Sequence, residues 1–275
     1  MMKTFRRAVM FAVAAGLLCV PLALAQTPVS DLEFKCQSKA TQGSTKFVSS
    51  KSKCVMKCFA NHWKGLGPAG DCYPPYGGTT LTCITDALKG AETKFILNTR
   101  KNCDDTFKAG TECPECYNPA EDCSDNGYAN DYMQLIEGQI DSFVPGVGCE
   151  LTGATKEEQK CQISTAKALV KETGGVVKCY VKCMTNARKG IGTRAACLPP
   201  ASDPATAACV SGVEAKAILG VNKSCVDKHD LSAVPPVDAL PDCSSPDDYN
   251  QGATWVNLVD VAISGNIPNN FCENP

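Results

Sequence analysis

Four cysteines recur without a gap 125 residues apart: Cys36 falls on Cys161, Cys54 on Cys179, Cys58 on Cys183 and Cys72 on Cys197. Around them KCVMKC at 53–58 becomes KCYVKC at 178–183, NHWKGLG at 61–67 becomes NARKGIG at 186–192, and CYPP at 72–75 becomes CLPP at 197–200. Each disulfide holds two points of a chain about 4.4–6.8 Å apart at Cα, so a cysteine frame restricts topology more than any propensity does. A frame written twice predicts two copies of one unit. Upstream, Ser30 and Glu33 fall on Thr155 and Glu158. Each copy thus opens on S/T-x-x-E, which satisfies the first free amides of a helix.

After the fourth cysteine the copies drift. Lys94-Phe-Ile-Leu97 still resembles Lys216-Ala-Ile-Leu219, before Cys103 and Cys225 respectively, and Cys123 and Cys149 correspond to Cys243 and Cys272. Cys83 to Lys94 spans 11 residues and Cys209 to Lys216 spans 7. A difference of four is close to one helical turn, so it reads as a deletion that keeps the same face inward. Cys113 and Cys116 occur only in the first copy. Residues 26–150 then hold ten cysteines and residues 151–275 eight, both even.

Even cysteine counts matter because the chain opens as an exported one. Residues 1–25 carry Lys3, Arg6 and Arg7, an apolar run and then Ala23-Leu24-Ala25, the layout of a secretory signal peptide cut after Ala25. The arginine pair hints at twin-arginine export, but a chain that must form many disulfides favours the Sec route. The short apolar region is bacterial in style, and a eukaryotic secretory origin is the other reading. Removing this segment takes away one of 19 cysteines and three positive charges from a net charge of −2, leaving 18 cysteines and −5. In an exported chain that density is a disulfide framework. The expected destinations are periplasm, cell surface or extracellular space. No later segment approaches the roughly 20 apolar residues of a membrane span. With aromatic residues at 7%, two small stapled units fit better than one large core.

The expected fold is all-α: two tandem disulfide-stapled helical-hairpin or bundle units, 26–150 and 151–275, joined near 150–155. In the first copy no proline lies between Pro28 and Pro68, and Gly65-Leu-Gly67-Pro68 is a stop, which predicts a long helical arm. Gly43 and Gly174-Gly175 interrupt the two arms and leave a kinked or two-piece arm open. Leu81, Ile84, Leu88, Ala91 and Phe95 predict a second helix with one apolar stripe. A third follows, with Tyr132, Ile136, Ile140 and Phe143 in the first copy and Trp255, Leu258, Val259, Ala262 and Ile263 in the second.

If the first two helices run antiparallel, bridged residue numbers should have nearly constant sums. Cys36 with Cys103, Cys54 with Cys83 and Cys58 with Cys72 give 139, 137 and 130; Cys161 with Cys225, Cys179 with Cys209 and Cys183 with Cys197 give 386, 388 and 380. Nested pairing is coherent in both copies, with Cys123 to Cys149, its counterpart Cys243 to Cys272, and a local Cys113 to Cys116. Sequence alone allows other connectivities. Cys83 and Cys103 would not share a face of one ideal helix, which places Cys103 beyond the helix end. The cysteine-x3-cysteine frame resembles that of plant α-hairpinins and of the second and third cysteines of insect odorant-binding proteins. The later spacing departs from both, so no functional residue carries over.

Reactive constellations are scarce. Cys113-Pro-Glu-Cys116 is the frame of a redox dithiol, but no strand precedes it and the second copy lacks it, so a local bridge is expected. Zinc on Cys103, Cys113, Cys116 and Cys123 conflicts with an oxidising compartment. Asp122-x-Ser124-x-Asn126-Gly127 imitates the start of a calcium loop, but its twelfth position is Met133, where a carboxylate is needed. The two histidines, His62 and His229, have no counterparts across the copies. No nucleophile motif, phosphate loop or zinc-protease motif is present. The expectation is a non-catalytic binding or structural module without cofactor or metal. The alternatives are a carrier with an apolar pocket lined by residues such as Leu88, Phe95, Tyr132 and Ile136, or an enzyme or redox protein using CPEC.

Lysines carry the remaining signal. Lys35, Lys39, Lys46, Lys53, Lys57 and Lys64 step by 4 or 7, a single helical stripe, and five recur as Lys160, Lys171, Lys178, Lys182 and Lys189. Residues 35–64 hold seven lysines and no acid; residues 104–150 hold eleven acids and one lysine. A solvated face balanced by the acidic third of each copy accounts for this without a ligand. The functional reading is a basic track for an anionic polysaccharide, lipopolysaccharide or protein surface. Nucleic acid is not expected of an exported acidic chain, and nothing in the sequence sets an oligomeric state.

Overall fold

A computed structural model describes residues 30–103, 127–148, 155–237 and 252–271. These form seven α-helices: α1 Asp31–His62, α2 Gly78–Thr85, α3 Ala91–Cys103, α4 Gly127–Val147, α5 Lys156–Arg188, α6 Pro204–Ser224 and α7 Gly252–Asn270. Among the described residues there is no strand, only an isolated bridge between Asp230 and Val237.

Both long arms start where the S/T-x-x-E signatures lie. Ser30 accepts from the Glu33 amide at 3.1 Å. Thr155 closes a full capping box with Glu158, whose carboxylate accepts from the Thr155 amide at 2.5 Å. Neither arm breaks at its glycines. A Cβ on Gly43 would lie 3.0 Å from the Asn98 amide, and one on Gly175 would lie 2.7 Å from Val213 Cγ1. These two positions let the neighbouring helix approach closely, which offsets the roughly 1 kcal/mol propensity cost of an interior glycine. The arms end at left-handed glycines, Gly65 at φ +72° and Gly190 at φ +79°, a conformation that side chains with a Cβ rarely adopt.

Six disulfides lie among the described residues, and their order is nested: Cys36–Cys103, Cys54–Cys83 and Cys58–Cys72 in the first half, Cys161–Cys225, Cys179–Cys209 and Cys183–Cys197 in the second. None crosses between the halves. Cys113, Cys116, Cys123, Cys149, Cys243 and Cys272 lie outside the described residues.

The single second helix expected from the apolar stripe is not what the first half contains. In the first half it is two helices, because the Asp86 carboxylate accepts from the amides of Leu88 and Lys89 at 2.9 Å each and stops α2. A Cβ on Gly90 would lie 2.5 Å from the Asp86 backbone, so the turn is too tight for a larger residue. The four extra residues therefore form a turn and not a helical turn. Leu81 and Leu88 are exposed, Leu88 by 88%, while Ile84, Ala91 and Phe95 are buried. The break also resolves the misfit of Cys83 and Cys103, which sit on different helices. Cys103 lies within α3 and not beyond the helix end. In the second half α6 is continuous, and Cys225 is its C-cap. On α7, Trp255, Val259 and Ile263 are buried and Leu258 is exposed.

The halves also pack on each other. α1 lies along α5, and the Arg188 guanidinium donates to the Ser30 carbonyl at 2.9 Å, pairs with Asp31 and sits 5.0 Å over the Phe34 ring. Phe34 in turn meets Phe271 at 6.2 Å.

Candidate functional site

Where α1, α4, α5 and α7 meet, the side chains leave a cavity of about 140 Å³. Val48 and Val55 face it from α1, Ile136 and Ile140 from α4, Leu169 from α5 and Ile263 from α7. On α1 and α5 the lining residues recur three and four apart, one face of each helix. Polar atoms are few and largely engaged. Asn266 donates to Gln139 Oε1 at 2.7 Å and to the Ala262 carbonyl at 2.8 Å. The Tyr132 hydroxyl, whose pKa is raised by burial, lies against Ser44, Asn270 and Thr41. An engineered apolar void of about 150 Å³ stays dry and accepts benzene, so a chamber of this size suits a small apolar molecule. Tyr132 and Ile136, named for a carrier pocket from sequence, are in the lining. Leu88 is not, being exposed on the turn, and Phe95 is core, packed between Phe47 at 5.5 Å and Tyr132 at 5.7 Å.

A second feature was not anticipated from sequence. Lys51, fully buried, places its ammonium 2.5 Å from Glu137 Oε1, 2.6 Å from Asp141 Oδ1 and 4.9 Å over the Tyr76 ring. Tyr76 donates to Asp141 at 2.5 Å. Glu92 stands beside this group, and burial, then the Glu137 carboxylate, pushes its pKa up to about 7. The signal in the sequence was phase: Lys51 is the one lysine of residues 35–64 outside the 4-and-7 register, so it points to the core side of the arm.

The eleven stripe lysines, Lys35, Lys39, Lys46, Lys53, Lys57, Lys64, Lys160, Lys171, Lys178, Lys182 and Lys189, are all exposed. At about 100° per residue each stripe lies roughly 140° around its arm from the chamber face. Neither stripe therefore faces the chamber that α1 and α5 share. Glu137 and Asp141, members of the acidic third, serve Lys51 and not the stripe.

The CPEC pair and the calcium-like loop start at Asp122, Ser124 and Asn126 lie outside the described residues. Cys103 is bridged to Cys36, which removes it from any thiolate set. Among the described residues no three His, Cys, Asp or Glu side chains converge as metal ligands, and no helix is long and apolar enough to cross a membrane. His62 Nδ1 lies 3.0 Å from the Gly67 carbonyl. No family model, no curated protein and no solved structure matches this chain.

Proposed function

We propose that this chain is an exported, non-catalytic binding protein made of two homologous disulfide-braced units, 26–150 and 151–275, that carries a small apolar molecule between them. The observation that carries the reading is the apolar chamber walled by α1 and α4 from one half and α5 and α7 from the other. Disulfides near both ends of each arm support it, because a braced frame keeps a void open that an unbraced bundle would close. Export after cleavage at Ala25 fits the same disulfides. The test is a thermal-shift titration of the oxidised protein with benzene, toluene and indole. A ligand that binds only the folded state raises the melting temperature as its concentration passes Kd. The reading predicts a saturable rise that vanishes in Ala262→Phe, whose ring fills the chamber from α7. A flat titration in the wild type would exclude it.

The lysine stripes support a second reading in which the outer faces rest on an anionic surface, such as polysaccharide, lipopolysaccharide or an acidic protein. The observation in its favour is the exposure of all eleven lysines. The two readings are compatible, since the stripes and the chamber occupy different sides of the arms.

A further inference from the structure

The two halves differ in character at one pair of core positions. At the 125-residue offset Phe47 falls on Glu172, and in the register that sets Lys94 on Lys216, Phe95 falls on Ala217. In the first half the two rings pack at 5.5 Å between α1 and α3, and the cleft beside them measures about 220 Å³. In the second half both rings are missing, and the cavity between α5 and α6 measures about 410 Å³. Its walls are small: Ala168, Gly175, Ala217 and Gly220. Glu172 lines it, is 1% exposed, and neither of its carboxyl oxygens has a hydrogen-bond partner. A buried polar group in that state is uncommon and calls for a partner.

The charge pattern of the first half bears on what that partner is. In the first half Glu92, Glu137 and Asp141 gather about one buried ammonium, Lys51. Glu92 corresponds to Glu214, and in the register that sets Cys149 on Cys272, Glu137 corresponds to Asp260; Lys51, however, falls on Val176. The second half therefore keeps carboxyls at Glu214 and Asp260, adds Glu172, and has no buried lysine or arginine among its described residues. We infer that the α5–α6 cavity binds a small primary-ammonium compound, whose charge meets Glu172 as Lys51 meets its carboxylates in the first half. Exposed Lys167, Lys171 and Lys216 surround the opening. They repel a second cation and favour a ligand whose far end is anionic, an ω-amino acid in shape. No three carboxyls converge as metal ligands here, which suits an ammonium better than a metal ion. The site lies roughly 180° around α5 from the chamber lining, so it does not depend on that reading.

Protonation adds a signature. The charged groups around Glu172 are Lys167 and Lys171 from α5, Glu214 and Lys216 from α6, and Asp260 from α7. Burial first, then the Asp260 and Glu214 charges, push the Glu172 pKa up to about 9. The empty site thus holds a proton at neutral pH and releases it when an ammonium pairs with the carboxylate. Affinity should rise with pH between 7 and 9, by up to about tenfold per unit.

The probe is 5-aminopentanoate, titrated calorimetrically into the oxidised full chain at pH 7, 8 and 9, with pentanoate as the control that lacks the amine. The expected result is saturable binding of 5-aminopentanoate that strengthens with pH and releases protons, with none by pentanoate. Glu172→Gln should weaken it at least tenfold and remove the pH dependence. Ala217→Phe, which restores the ring of the first half, should abolish it with the fold retained, and so serves if the first variant folds poorly. Absence of 5-aminopentanoate binding in the wild type, equal binding of pentanoate, or undiminished binding in either folded variant would overturn the inference.

Discussion

Lys51 is the one lysine or arginine buried among the described residues. Its ammonium is fully buried against Glu137 and Asp141, and removing one partner of such a group strands the others in a low-dielectric interior. Lys51→Met should cost about 3–5 kcal/mol at pH 7 in chemical denaturation. Adding Glu137→Gln and Asp141→Asn should recover much of it, and a single variant as stable as wild type would contradict the buried pair. Raised carboxyl pKa values give a second prediction. Glu92 at about 7 and Glu172 at about 9 bind their protons more tightly folded than unfolded. Their contribution is full below the ordinary glutamate range and is lost as pH rises through the folded values. The melting temperature should therefore fall between pH 5 and 9, and Glu172→Gln should flatten the upper part of that fall. The helical phase of Lys51 was legible in the sequence. Its partners were not, because they arrive from α4, about 86 residues on, and no spacing rule links the two.

At the scale of elements, the disulfides divide into long and short staples. Cys36–Cys103 spans 67 residues and Cys58–Cys72 spans 14. Loop entropy predicts about 4 kcal/mol for the first and about 3 for the second. Replacing each pair by alanine should thus destabilise more at Cys36–Cys103, by about 1 kcal/mol, in denaturant titrations under oxidising conditions. The reverse order would show that native-state packing, not chain entropy, dominates. Arms, caps and the six bridges among the described residues were readable because they rest on simple signals: S/T-x-x-E, a proline-free run, and nearly constant index sums. The α2–α3 turn was not, because the apolar spacing of Leu81, Ile84, Leu88, Ala91 and Phe95 continues straight through it. The Asp86 carboxylate, which ends α2, carries no periodicity. Leu88 therefore read as lining and is surface.

For the whole molecule, the proposal joins two halves through a chamber that neither builds alone. The cysteine repeat could be read in the chain, but the packing of α1 along α5 could not, since the chamber-facing valines and leucines look like ordinary core positions in either copy. The stripes supply a prediction at this scale. Changing Lys53, Lys57, Lys178 and Lys182 to Gln should reduce retention on an immobilised sulfated polysaccharide and its sensitivity to salt, with helicity unchanged. Screening within about 8–10 Å makes the difference largest in low salt. Unaltered retention there would make the stripes a solvating face only. A preformed apolar chamber between the halves should be visible by diffraction from crystals of the oxidised protein under xenon pressure. A xenon peak should lie among Val55, Ile136, Leu169 and Ile263 and be absent in Ala262→Phe. A wild-type map in which side chains fill that space and no xenon binds would contradict it.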